Sequence, residues 1–189
     1  ASSSGNVATQ AWNNAAGDTA VFSAGFDAVG AFTVTLGSAI SASGVTFEEG
    51  TVTISGANVL TLTGGTVSVA TNRTATIASV VDGSAGLNKT NAGTLVLSGA
   101  NIYANGTTIG VGTLRFAKTN AMPLSGSVTP TSGATLAVNA GGAGEWNDQL
   151  SGGGSLGGLI SAGTGGQGTA NQVVWTSGSS LGIDTTNTA

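Results

Sequence analysis

The chain has no Cys and no His, only 2 Pro, 9 aromatic residues and 12 charged residues in 189. Each shortage excludes a class of function. Without His or Cys there is no Ser-His or Cys-His nucleophile system, no thiolate or imidazole metal site, and no disulfide framework. Four Lys plus Arg against eight Asp plus Glu leave a net charge of −4, too few cations to neutralise a phosphate backbone, so nucleic acid is not an expected partner. No apolar run reaches about 18 residues, so this segment is not expected to insert in a membrane as a helix. The N-terminal Ala1-Ser2-Ser3-Ser4 has neither a basic n-region nor an apolar h-region, and we expect that a leader has been removed.

What is present is small and polar. Gly (33), Thr (28), Ser (21) and Asn (14) make up more than half the chain, while 40% remains apolar and the mean hydropathy is +0.29. Disorder requires few apolar residues and high net charge, so this chain should fold. An acidic, Lys-poor, Cys-free composition of this kind suits a secreted bacterial protein held together by hydrogen-bonded sheet.

The dominant period is two. Thr33–Leu36, Val45–Phe47, Val52–Ile54, Leu60–Leu62, Val67–Val69 and Ala75–Ile77 alternate apolar with small polar residues, the pattern of half-buried strands. The apolar pairs Val45/Phe47, Val52/Ile54, Leu60/Leu62, Val67/Val69 and Ala75/Ile77 recur in steps of 7 or 8, and three such steps return the chain to its start after 22 or 23 residues. An antiparallel sandwich also uses short strands, but steps of seven leave too little chain for a strand and a hairpin loop. The spacing therefore predicts an all-β parallel β-helix, a β-solenoid with about 19–23 residues per coil, in which Val45 lies under Val67 and Val52 under Ala75. Leu95/Leu97, Leu114/Phe116 and Leu136/Val138 continue the rhythm. The count predicts roughly eight coils and a rod about 40 Å long at about 4.8 Å per coil. Residues 1–30 are expected to form an N-terminal cap or strand-donating segment, and 31–189 the solenoid.

The segment 86–116, with Gly86-Leu87-Asn88-Lys89-Thr90-Asn91-Ala92-Gly93-Thr94-Leu95-Val96-Leu97-Ser98-Gly99-Ala100-Asn101-Ile102-Tyr103 followed by Gly106-Thr107-Thr108-Ile109 and Gly112-Thr113-Leu114, resembles the autotransporter-associated β-strand repeat of bacterial passenger domains. Asn91 stands where that family usually has Gly, a change the left-handed corner tolerates. The resemblance implies a right-handed parallel β-helix at the bacterial cell surface or outside the cell, serving as stalk, adhesin or matrix component, with no reaction and no cofactor. On this reading Leu87, Leu95, Leu97, Leu114 and Phe116 form the repeat core, and Gly93, Gly99, Asn101, Gly106 and Gly112 form its corners, with Gly and Asn supplying positive φ. Tyr103 is expected to cap one face with its hydroxyl in water.

Other motifs carry less. Glu48 and Glu49 are adjacent, so strand alternation sends them to opposite faces rather than into a catalytic pair. Glu145 and Asp148 beside Trp146 suggest either a sugar-stacking or cation-binding loop, or a solvated loop in which Trp146 covers one end of the apolar column. The run Ser151–Gly158 has the glycines of a calcium-binding β-roll but no Asp, and lacks the Gly-Lys-Ser/Thr of a P-loop, so no metal and no nucleotide are expected. Thr-x-Thr pairs at 33/35, 51/53, 61/63 and 74/76 raise the idea of an ice-binding face. Only 51/53 and 74/76 stand one coil apart, and the others are expected on different faces. The Asn-x-Thr sequons at Asn72, Asn88 and Asn105 read as corner residues.

Open strand edges at the two ends, without obvious caps, predict self-association through the solenoid ends or donated strands into a surface filament, layer or matrix. The alternative is a passenger-domain stalk or adhesin that binds a host surface or polysaccharide.

Overall fold

A computed structural model describes residues 12–23 and 30–186. The chain winds as a parallel β-solenoid. One seven-stranded sheet stacks β1 (Thr19–Phe22), β3 (Ile40–Phe47), β5 (Leu60–Val69), β8 (Leu87–Thr90), β10 (Thr107–Ile109) and β12 (Val128–Pro130), with β7 (Val81–Asp82) also on β5. The other stacks β2 (Ala31–Thr35), β4 (Thr51–Ser55), β6 (Thr74–Ile77), β9 (Thr94–Leu97), β11 (Thr113–Phe116), β13 (Thr135–Asn139) and β14 (Ser180–Asp184). Every pairing between these strands is parallel, and the registers follow the apolar columns: Val45 on Val67, Val52 on Ala75, Leu95 on Leu114, Leu114 on Leu136. Because each inward residue repeats at the same height on the next coil, the core is a set of vertical apolar stacks, buried from Val45 and Val52 up to Leu136 and Val138.

A third, shorter face is set by β3 and β5, which bend midway, β3 through a register irregularity between Ala42 and Gly44 and β5 at Gly64-Gly65, where Gly65 has φ +71°. Their first halves pair Ile40 with Leu60 and Leu60 with Val81. Three columns per coil follow from these bends.

Among the described residues the stack is shorter than the eight coils that residue counting predicts. One sheet holds seven strands, so six steps of about 4.8 Å span about 29 Å. One coil is lost to an excursion. Leu136 pairs with Leu181 and Val128 bridges to Val173, both 45 residues apart instead of about 22, because residues between β13 and β14 leave the coil. This excursion contains the short helix α1 (Leu156–Ala162), in a chain whose sequence shows no helical period. Ser155 caps it by accepting the amide of Gly158 on its side chain, Gly163 ends it in the left-handed region, and its own Leu159 is buried. Tertiary packing and caps thus override a Gly-rich sequence of low helix propensity.

The expected 1–30 cap lies partly outside the described residues, as do Val7–Ala11 of the strand-donating stretch. Its described part is the beginning of the stack: Trp12 donates its indole N–H to Ser41 O, Asn14 brackets 39–41 with its side-chain amide, and β1 pairs in register with β3. Phe22 lies on Phe47 with ring centroids 5.1 Å apart.

Outward residues form ladders as regular as the core. Thr74, Thr94, Thr113 and Thr135 occupy one register position on four successive strands, followed by Ser180. Thr33 pairs with Thr53 and Thr35 with Ser55, so the 33/35 pair shares a sheet with 51/53 and 74/76. The expectation that it falls on a different face is corrected: the coil between those strands is 20 residues, not 22 or 23.

Candidate functional site

The coil over 86–116 shows how the repeat is built. Leu87, Leu95, Leu97, Leu114 and Phe116 are all buried in the apolar columns. Of the corner residues, Gly106 and Gly112 turn the chain at φ +82° and +74°. Asn91 does the same at +63°, its side-chain oxygen accepting the amide of Ala92.

Gly93, Gly99 and Asn101 do something other than the positive-φ turn expected of them, since none of the three is left-handed. Gly93 is there for proximity: a Cβ would lie 2.8 Å from both Arg73 O and Val69 Cγ1 and would also meet Ala70 O in the coil below. Gly99 presses on the Ser79 carbonyl in the same way. Asn101 is a buried rung. Its Oδ1 accepts the backbone N–H of Val81 at 2.9 Å, and its Nδ2 donates to the carbonyl of Ala121 at 2.7 Å. These partners lie 20 residues before and 20 after it, so the side-chain amide takes the place of a peptide group in the ladder of the third face.

Tyr103 is also corrected. Its hydroxyl is buried rather than in water, bonded to the Thr107 hydroxyl at 2.7 Å, and burial pushes its pKa up.

Lys89 is the residue that sequence reasoning missed. Strand alternation places it inward between Val67 and Ile109, where it is fully buried. Its ammonium donates to the carbonyls of Thr90 (3.0 Å), Asn91 (2.6 Å) and, on the next coil, Val111 (3.1 Å). Burial lowers its pKa to about 8. Its place in the period-two pattern was the available signal, two residues after Leu87 and on the same side.

A concavity lies where the excursion leaves the solenoid. It is an open groove of about 1190 Å³ whose lining includes Lys118, Glu145, Trp146, Asp148, Leu156 and Thr186. Glu145 accepts the amide of Gly142 at 2.9 Å and lies 3.4 Å from Lys118 Nζ, which also donates to Ala143 O. Asp148 is exposed on the rim. Trp146 is fully buried in the core of the excursion and bridges to Ala140, so its ring is not available for sugar stacking. The structure thus brings Glu145 and Trp146 to one wall of the groove, with Trp146 serving as core. Among the described residues, no group of three or more Asp and Glu side chains is placed to hold a metal ion, and no helix is long and apolar enough to cross a membrane.

At the last strand, Arg115 reaches past Ala137 and Gly182 to form an ion pair with Asp184. The hydroxyl and amide of Thr186, helped by Arg115, hold the Asp184 carboxyl below its ordinary pKa.

Residues 87–116 match the family model of the passenger-associated-transport-repeat. Over 105 residues the chain is 45% identical to the "Adhesin BmaC autotransporter" of Brucella suis biovar 1 (strain 1330), an alignment that spans 55% of this chain and 3% of that adhesin. No solved structure matches. The matched repeat is the coil of Lys89, Asn101 and the left-handed corners at Asn91, Gly106 and Gly112.

Proposed function

We propose that this chain, which carries an autotransporter passenger repeat within a parallel β-solenoid, is a non-enzymatic segment of a bacterial surface passenger, serving as stalk and adhesive surface outside the cell. The observation that carries the reading is the repeat match at 87–116, in register with apolar columns that run above and below it. The adhesin relative supports a cell-surface or secreted location. The scarcity of charge fits the same role, because identical positions recur every 4.8 Å or so and like charges would stack. The test is retention of the purified chain on host cells and on a panel of immobilised polysaccharides, with sugar release followed in the same wells. Retention without release is expected. Release of reducing or unsaturated sugars, or retention on no surface, overturns the reading.

A second reading, end-on self-association, is supported by apolar residues left exposed on the outermost described strands of one sheet. Phe32 on β2 and Ile183 on β14 sit in inward registers yet are 40% and 46% exposed. Sedimentation and electron microscopy at high concentration decide it: a monodisperse 17.9 kDa particle removes the filament.

A further inference from the structure

The buried Lys89 has a role that neither stalk nor adhesin requires. Three carbonyl oxygens converge on its nitrogen, two from the 90–91 corner and one from Val111 at the corner of the next coil. An ammonium carries three N–H donors and a neutral amine only two. We propose that Lys89 makes this pair of corners proton-dependent: only the ammonium satisfies all three carbonyls, so loss of one proton frees one of them and lets the corners shift against each other within a folded solenoid.

The surroundings leave the nitrogen no substitute partner. The neighbouring strands β5, β9 and β10 carry no charged residue. Around them, Arg73 precedes β6, Asp82 on β7 accepts the amide of Gly83, and Arg115 on β11 is paired with Asp184. Tyr103, the nearby titratable hydroxyl, is bonded to Thr107. None of these groups is bonded to Lys89, and burial alone lowers its pKa to about 8. Val111 itself is half exposed and is followed by Gly112 at φ +74°, so its carbonyl belongs to a corner at the surface of the solenoid.

The change takes place in a folded molecule. The folded pKa lies below the ordinary value of 10.5, so between about pH 8 and 10.5 the unfolded chain holds more protons than the folded one. Stability therefore rises with pH across that window, while the third hydrogen bond is lost.

The test is a ¹³C-detected NMR titration of the full chain from pH 6.5 to 10, following the Lys89 Cε and the carbonyl carbons of Thr90, Asn91 and Val111. We expect the Cε and at least one of the three carbonyls to move together with a midpoint near pH 8, and the carbonyls to stay flat in Lys89→Met and Lys89→Arg. Carbonyls that stay flat while the Lys89 Cε titrates, or a Lys89 Cε that does not titrate below pH 10, overturn the proposal. Carbonyls that move equally in the Met variant do so too. Should either variant fail to fold, the shared midpoint in the wild-type chain still decides the question.

Discussion

Replacing Asn101 by Ala removes a rung without touching the apolar columns. The side chain is buried and joins Val81 N–H to Ala121 O, so truncation leaves one buried donor and one buried acceptor with no partner. Each such orphan costs about 1–3 kcal/mol, which puts the loss at about 2–6 kcal/mol, a large share of the ~5–15 kcal/mol that holds a typical domain together. With a urea slope of about 2 kcal/mol/M, a loss in the middle of that range moves the unfolding midpoint down by about 2 M. Amide exchange at Val81 should speed up more than at Val67, whose pairing is untouched. Asn101→Asp adds a check with a definite sign. The carboxylate can accept from Val81 but faces the Ala121 carbonyl as a second acceptor, so burial beside it raises the folded pKa above the unfolded ~3.9. Stability of that variant is then highest below the unfolded pKa and is lost as pH rises through the folded one. A loss below about 1 kcal/mol for Asn101→Ala, with Val81 exchange unchanged, would refute the ladder argument.

The remaining predictions separate causes that the sequence presents alike. Gly93→Ala drives a Cβ into three atoms of the coil below and should cost about 3 kcal/mol by denaturant unfolding, whereas Gly133→Ala, at φ +80° with open space around it, should cost only the left-handed penalty of about 1–2 kcal/mol. Leu95→Ala opens a void in the stack between Ala75 and Leu114 and should cost about 2–5 kcal/mol, while Leu150→Ala, at a site 88% exposed, should leave the unfolding midpoint unchanged. Acidification should loosen the last strand first: the Asp184 carboxyl is held low by Thr186 and Arg115, so its contribution is present above the ordinary carboxylate range and lost as pH falls through the folded pKa. Protection factors of residues 180–184, with exchange normalised to the intrinsic rate at each pH, read this at pH 3 against pH 6, and Asp184→Asn should abolish the difference in protection.

The columns were legible because burial and spacing say the same thing: apolar pairs at 7–8 residue steps have one parallel arrangement that stacks them, and Val45 on Val67 or Leu114 on Leu136 follow from counting. Counting fails where the chain stops coiling. The stretch from 140 to 179 is rich in Gly and has no period, and nothing local says that it folds around Trp146 and Leu159 beside the stack. Chemistry that depends on a partner one coil away was equally hidden. A lysine reads as surface until three carbonyls are placed around it, Tyr103 reads as wet until Thr107 meets it, and Asn101 reads as a turn until Val81 and Ala121 arrive on either side. The Thr pair at 33/35 shows the same limit, because coil length along this sheet varies from 19 to 23 residues and one averaged step misplaces it.

The most direct test of the stacked register uses the absence of native cysteine. Thr94 and Thr113 face outward on adjacent strands at the same height, with Cα atoms about 4.8 Å apart, inside the range a disulfide spans. Thr74 and Thr113 occupy the same register position two strands apart, about 9.6 Å, beyond that range. Under mild oxidation the account predicts a rapid intramolecular disulfide in Thr94→Cys/Thr113→Cys and none in Thr74→Cys/Thr113→Cys. Equal cross-linking in both, or cross-linking of the second pair alone, would contradict it.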